Sequence, residues 1–278
     1  MEISLLGPLD AESAGAQILP TAAKQRQLLA LLALHANRGV PVSMLMEEIW
    51  EDDPPRSAST TLQTYILQLR RLISSSLGDS SGIVAKEILV YQHGGYQLKM
   101  LPGTVDAQEY DRIAARGQAA FDAGDDESAV AAFRRALDLW QGPALADVRT
   151  GTLLEMERIR LEESRLGILE RRIDVELGMG RHTELLPELT VLTTRHGLHE
   201  GLHALRMISL YRAGRPSEAL SAFSTLRARL NESLGIEPSP RLQRLNRAVL
   251  AGDQLLERGQ QRGQQRGAGR RVLDRFAA

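Results

Sequence analysis

Two groups of residues have the types and spacing to do chemistry. The first is Thr60, Thr64, Leu67 and Arg71, spaced i, i+4, i+7, i+11 in a helical pattern and flanked by Ser57, Thr61 and Gln68. At 100° per residue they fall on one side of a helix, opposite an apolar stripe of Ala58, Leu62, Tyr65, Ile66, Leu69, Leu72 and Ile73. Short hydroxyls and amides reach base edges, arginine grips phosphate or guanine, and an exposed leucine meets a thymine methyl. Residues 57–78 hold no acid in 22 positions, where the chain's 35 acids in 278 residues would place about three. A solvated helix face ordinarily mixes both signs. Two readings follow, a polar face that happens to lack acids and a face that reads DNA, and the second is favoured.

The second group is His199-Glu200-Gly201-Leu202-His203, with His196 one turn earlier. Two imidazoles four residues apart with a carboxylate between them is the spacing of zinc proteases. That chemistry needs a third ligand, for which Glu218 and Glu232 are the candidates, and an edge strand to hold a peptide. Nothing nearby reads as a strand, and Glu218 adjoins a small residue, Ala219, placed for packing. A chance pattern at a helix start is the favoured reading, so no metal, no cofactor and no catalytic residue is expected.

The elements that must position the first group can be read around it. Strand-like stretches occur at 2–6, 16–19, 83–91 and 96–100, the last two flanking the turn Gln92-His93-Gly94-Gly95, a hairpin signal. Between the pairs lie helical patterns at 22–36 behind the candidate cap Thr21, at 44–50 behind Ser43, and at 57–75 after Pro54-Pro55. Strands, three helices and a closing hairpin are the order of a winged helix-turn-helix. In such a fold His93, Gly94 and Gly95 form the wing tip and, with Lys86, contact backbone or minor groove; otherwise the glycines serve a tight turn. Lys24 and Arg26, in the first turn of the first helix, are candidate phosphate contacts or ordinary surface cations. Glu47, Glu48, Glu51, Asp52 and Asp53 crowd the end of the second helix. A solvated loop is the favoured reading there, a docking ledge for a basic polymerase surface the alternative.

Beyond residue 101 the pattern becomes helical. Gly124 is followed at +5 and +9 by Ala129 and Phe133, Gly180 by Leu185 and Leu189, and Gly214 by Ala219 and Phe223. A glycine closing one helix, then a small and a large apolar residue on the next, is the logic of tetratricopeptide-like pairs, with Leu185 the poorer match. A long helix over 153–177, rich in pairs such as Glu155, Arg158, Glu162 and Arg165, fills the wider gap. The expected architecture is an α+β winged helix-turn-helix at 1–101, an all-α tetratricopeptide-like domain at 102–252 and a basic tail at 253–278, mainly α overall.

Composition bounds the rest. Zero cysteines exclude disulfide frameworks and thiolate chemistry. The first residues carry acids where a signal peptide carries positive charge, and the longest apolar run, 28–34, is far short of a membrane span, so a cytoplasmic, nucleoid-associated protein is expected. The net charge of −1 is a cancellation: 8 basic and 10 acidic residues in 1–100, 17 and 22 in 101–240, and 9 and 3 in 241–278. Attraction for DNA is therefore expected to be local.

Thr61-Leu62-Gln63-Thr64-Tyr65-Ile66-Leu67-Gln68-Leu69-Arg70-Arg71 and Gly94-Gly95-Tyr96-Gln97-Leu98 are followed by Val105-Asp106, Ala136-Leu137-Asp138-Leu139-Trp140-Gln141-Gly142, Leu210-Tyr211-Arg212-Ala213-Gly214-Arg215 and Leu234-Gly235-Ile236-Glu237-Pro238. In this order the chain resembles the Streptomyces antibiotic regulatory protein family over about residues 1–252. The resemblance implies a response-regulator-like winged helix joined to a bacterial transcriptional activation domain. It implies an activator of secondary-metabolite gene clusters that binds direct repeats in double-stranded DNA, self-associates there and recruits RNA polymerase. Carried over by position, Thr60, Thr64, Gln68 and Arg71 become its recognition face, with His93 to Gly95 as the wing tip. The ATPase and sensor modules of larger relatives and a receiver module are not expected. The alternative function is a helical-repeat interaction adaptor whose winged helix contacts protein.

Overall fold

The computed structural model describes residues 1–13, 15–77, 84–253 and 256. The expected basic tail, apart from Asp253 and Leu256, lies outside the described residues. The chain forms two compact units: Met1–Ala114 with Arg135–Leu166, and Ala115–Arg134 with Gly167–Ala278.

The first unit begins with an antiparallel meander of β1 (Glu2–Ser4), β2 (Asp10–Ser13) and β3 (Ala16–Gln17). β1 pairs β2 with Ile3 opposite Ala11, and both side chains are buried. Three helices follow, α1 (Ala23–Leu34), α2 (Val42–Trp50) and α3 (Ala58–Leu77). Residues 27–33 of α1 are all buried, which makes it the central helix of the unit rather than an amphipathic surface one. A second antiparallel sheet has the order β4 (Val40–Pro41), β6 (Gly95–Leu98), β5 (Leu89–Gln92), with the short α4 (Ala85–Ile88) ahead of β5.

Three local expectations are corrected. β2 was not expected, because Asp10-Ala11-Glu12-Ser13 offers a single apolar side chain to a pattern search. Residues 85–88, expected to be strand, form a helical turn. The caps expected at Thr21 and Ser43 are not used: α1 starts after Ala22, and α2 after Pro41. Val42 N–H donates to Gly94 O at 3.2 Å, so the wing supplies an acceptor at the start of α2.

The segment after residue 101 returns to the first sheet. Ile3 forms a parallel bridge with Val105, and the Asp106 carboxylate accepts from the N–H groups of Leu5, Leu6 and Ala107 at 2.7 to 3.0 Å. Burial raises the Asp106 pKa, opposed by those backbone donors. Residues 141–146 lie along residues 5–7 through Gln141 N–H to Leu6 O, Leu145 N–H to Leu5 O and Ala146 N–H to Gly7 O. Tyr110 is fully buried, edge-on to Trp140 at 5.5 Å, with its hydroxyl 3.0 Å from Ser164 Oγ. Glu162 and Arg165 form the expected i, i+3 pair at 3.9 Å and also hold this segment. Glu162 accepts from Ala144 N–H at 2.8 Å, and Arg165 donates to Gly142 O while lying over Trp140.

The second unit is helical. Helices α5 (Asp106–Asp122), α6 (Asp126–Leu137) and α7 (Thr152–Gly178) contribute residues to both units, followed by α8 (His182–Arg195), α9 (Glu200–Arg212), α10 (Pro216–Leu234) and α11 (Pro240–Ala251). Gly124, Gly180 and Gly214 all have positive φ, between 73° and 85°. At each, one helix ends two residues before the glycine and the next begins two after it, so the expected repeat of turns is present. Ala129, Phe133, Leu185, Leu189 and Ala219 are buried, and Gly117 lets Phe133 approach: a Cβ at 117 would lie 2.6 Å from its ring. Phe223 is half-exposed and does not complete the third lock. α9 packs against α8, α10 and α11.

Candidate nucleic-acid interface

Helix α3 carries the face. Its 20 residues make a rod of about 30 Å, and Ala58, Leu62, Ile66, Leu69 and Ile73 are buried at no more than 3% exposure. That anchoring turns Ser57, Thr60, Thr64, Leu67 and Arg71 to solvent, with Thr61 and Gln68 at the half-buried margin. Leu67 is 47% exposed, an apolar group standing among hydroxyls and a guanidinium. The Thr64 hydroxyl donates to Thr60 O at 3.0 Å, leaving its lone pairs outward. Gln68 is tied back by Gln25, whose amide donates to its oxygen.

The wing is a two-residue hairpin loop. Gln92 pairs with Gly95, and the intervening His93 and Gly94 have φ of 50° and 76°, the combination of a type I′ turn. Both are exposed. Gly95, expected at the wing tip, is corrected: it is buried in β6, where a Cβ would stand 2.4 Å from Val40 O. The second glycine is therefore there for strand approach, and the first for the turn.

Arg70, passed over in the sequence as one of a pair, joins the helix to the wing. Its Nε and Nη2 donate to Leu89 O at 3.0 and 2.7 Å, and the guanidinium lies 5.9 Å from the Tyr96 ring centre. Tyr91, 58% exposed and tilted on Tyr96, adds an aromatic edge to β5 that the alternating pattern did not reveal. Trp50 stacks on Tyr65, and the Lys24 ammonium lies over the Trp50 ring at 5.1 Å from its centre. Arg26 is ion-paired with Asp147 and is not a free cation. Arg56, exposed just ahead of α3, and Arg71 make no ion pair among the described residues.

The acidic ledge is also corrected. Glu47, Glu51, Asp52 and Asp53 are exposed, but Glu48 is 1% exposed. Its Oε1 accepts from Gly151 N–H at 2.6 Å and Gln27 Nε2 at 2.8 Å, and its Oε2 from Leu153 and Leu154 N–H at 2.9 and 3.0 Å. It is the anion at the amino-terminal end of α7.

Of the histidine pair, His199 serves a helix end and His203 is buried. His199 caps α9, its Nδ1 accepting from Leu202 N–H at 3.2 Å, and the Glu200 carboxylate accepts from Ser239 N–H at the start of α11. Glu218 is held by both nitrogens of Arg215 at 2.7 Å. Among the described residues no three His, Asp or Glu side chains are grouped to hold a metal. His203 is buried, and desolvation, followed by the charges of Arg206 and Arg229, holds its pKa at about 4 instead of 6.5. The unfolded chain thus binds more protons between pH 6.5 and about 4, and stability should fall as pH drops through that window. Urea titrations at pH 7 and 4.5 should give a smaller loss in His203→Gln than in the unaltered chain, the remainder including His35, whose pKa burial also lowers. Equal losses would remove His203 from this account.

Comparison with known proteins decides the family. Residues 16–98 match the family model "Transcriptional regulatory protein, C terminal", and residues 105–250 match "Bacterial transcriptional activator domain". The chain is 50% identical to the regulatory protein DnrI of Streptomyces peucetius over 93% of its own length and 95% of that protein's. The chain belongs to the Streptomyces antibiotic regulatory protein family. As a member of that family it is a transcriptional regulator and not an enzyme. It is 36% identical to the regulatory protein AfsR of Streptomyces coelicolor over 92% of the chain, which spans 25% of that longer relative. The solved structure of Mycobacterium tuberculosis EmbR in complex with a low-affinity phosphopeptide aligns with a TM-score of 0.83 at 31% identity, over 90% of this chain and 65% of that one. The winged helix followed by a helical domain is thus an architecture shared within the family. Among the described residues no helix is long and apolar enough to cross a membrane.

Proposed function

We propose that this regulator is a sequence-specific DNA-binding activator of a secondary-metabolite gene cluster, with α3 in the major groove and His93 and Gly94 against the flanking backbone. The observation that carries the reading is the exposed face of Ser57, Thr60, Thr64, Leu67 and Arg71, which has hydroxyl, methyl-seeking and cationic groups and no acid. It binds direct repeats through protomers arranged head to tail, about one DNA turn apart, and recruits RNA polymerase. With Glu48 withdrawn into the interior, the acids left outside for a basic polymerase surface are Glu47, Glu51, Asp52 and Asp53.

Footprinting upstream of the neighbouring biosynthetic genes should reveal paired protections at that spacing. In mobility-shift titrations Arg71→Ala should weaken binding to every sequence and flatten the log–log salt dependence by about one unit, the loss of one phosphate contact. Thr64→Ala should instead change preference at a single base position, by about 1 kcal/mol or more. Unchanged affinity and salt slope in both variants would take α3 out of the interface and favour the adaptor reading.

A further inference from the structure

Helices α8, α9 and α10 enclose a cleft of about 190 Å³ whose wall includes Thr193, His203, Arg206, Ser221, Thr225 and Arg229. We propose that this cleft binds a small oxyanion of the phosphate class, as the free ion or as the phosphate group of a small metabolite, and so gives the helical region a ligand input. Nothing in this proposal depends on the DNA reading of α3.

The charge of the cleft is unbalanced. Three other guanidiniums of the second unit are held by carboxylates: Arg172 by Glu176 and Glu188, Arg215 by Glu218, and Arg227 by Glu237. Arg206 and Arg229 stand on adjacent helices, and neither has an ion-pair partner among the described residues. The cleft's one acid, Glu218, is already neutralised by Arg215 through two hydrogen bonds. Glu218 also acts on Arg206, but three guanidiniums, Arg206, Arg215 and Arg229, stand against that one carboxylate, and the excess of positive charge is a site for an anion.

Hydrogen bonding points the same way. Arg206 Nη1 is fixed on Thr193 Oγ1 at 3.1 Å, while its Nε is shielded from solvent with no acceptor. The Nη1 bond fixes the guanidinium at the cleft wall, where its charge acts on a ligand although Nε itself is out of reach. Thr193, Ser221 and Thr225 each donate to a carbonyl one turn back, and a hydroxyl rotor can turn to a ligand oxygen instead. The planar fork of arginine matches a tetrahedral oxyanion, and the volume, roughly that of six waters, admits a phosphate with a small substituent. The depressed His203 imidazole is a second sign of the same positive field, since Arg206 and Arg229 follow burial among its causes.

The test is titration calorimetry of the full chain at constant ionic strength, with inorganic phosphate and O-phosphoserine as probes and chloride as the control. Saturable binding at one site is expected, weakened at least tenfold in Arg229→Gln and unchanged in Arg71→Ala, whose cation stands on α3 of the first unit. Arg206→Gln should lose binding too. If that variant unfolds, Arg229→Gln decides, because Arg229 is exposed and pairs with no acid among the described residues. Saturation with phosphate should also raise the titration midpoint of the His203 ring in NMR spectra, a change that mere stabilisation of the fold by salt does not produce. Tighter binding of O-phosphoserine assigns the site to a monoester, and equal or weaker binding to the free ion. Absence of saturable binding, or equal affinity in Arg229→Gln and the unaltered chain, overturns the proposal.

Discussion

Glu48→Ala is expected to destabilise the protein by about 3 kcal/mol, read as a lower urea midpoint at unchanged slope. The side chain is 1% exposed and accepts four hydrogen bonds, three of them from backbone N–H groups at the start of α7 and one from Gln27. Losing a helix cap alone costs about 1 kcal/mol, and each donor then left buried without an acceptor costs about 1 to 3 kcal/mol less whatever water recovers. Against the 5 to 15 kcal/mol typical of a folded domain, about 3 is a large share. Glu48→Gln keeps the shape but turns an amide donor toward backbone donors, and should lose about 2 kcal/mol. Gly151→Ala attacks the same junction sterically, since its Cβ would stand 2.2 Å from Glu48 O. A Glu48→Ala variant within 1 kcal/mol of the unaltered chain would show the carboxylate to be replaceable by water.

That residue also marks where sequence reading stops. Five acids in seven positions look like a solvated ledge, and four of them are; the fifth is drawn inside by N–H groups 103 to 106 residues away. No local pattern carries such a partner. Asp106 and Asp147 are the same case, carboxylates of helix starts and loops whose donors are Leu5, Leu6 and Leu9 near the amino terminus. The face of α3 was legible for the opposite reason. It is exposed, so its composition is set by what it touches rather than by packing, and the missing acids could be counted. Gly124, Gly180 and Gly214 were legible because a positive φ selects glycine locally. Gly95 was misread as part of the turn because close approach of β4, a long-range event, selects glycine equally well. The Arg206 and Arg229 cleft is invisible in sequence for a further reason: the excess of guanidiniums over carboxylates is a property of three helices together.

A fragment of residues 1–101, the piece the sequence boundary would suggest, is expected not to unfold cooperatively. Within the first compact unit, cutting there removes the acceptors of four backbone donors: Ile3 N–H from Thr104 O, Leu5 and Leu6 N–H from Asp106, and Leu9 N–H from Asp147. It strips the three N–H groups from Glu48, leaving a buried carboxylate with only Gln27, and it takes Asp147 from Arg26. It also takes residues 141–146 from alongside Leu5 and Leu6, both at 0% exposure in the full chain and each worth about 1.5 to 3 kcal/mol when buried. The total loss, on the order of 5 kcal/mol or more before the stranded carboxylate is counted, approaches the stability of a domain this size. Residues 1–166 restore every one of these partners, so that longer fragment should regain a sigmoidal urea transition and near-ultraviolet circular dichroism that the short one lacks. A 1–101 fragment unfolding cooperatively at the midpoint of the full chain would show the winged helix to be self-sufficient. If it does not, the orientation of α3 depends on residues beyond 101, because Glu48 and Gln27 join α1 and α2, the helices on which α3 rests, to the start of α7. DNA binding measured on the short piece would then report a displaced α3, and residues 104–154 would be part of how its exposed face is oriented.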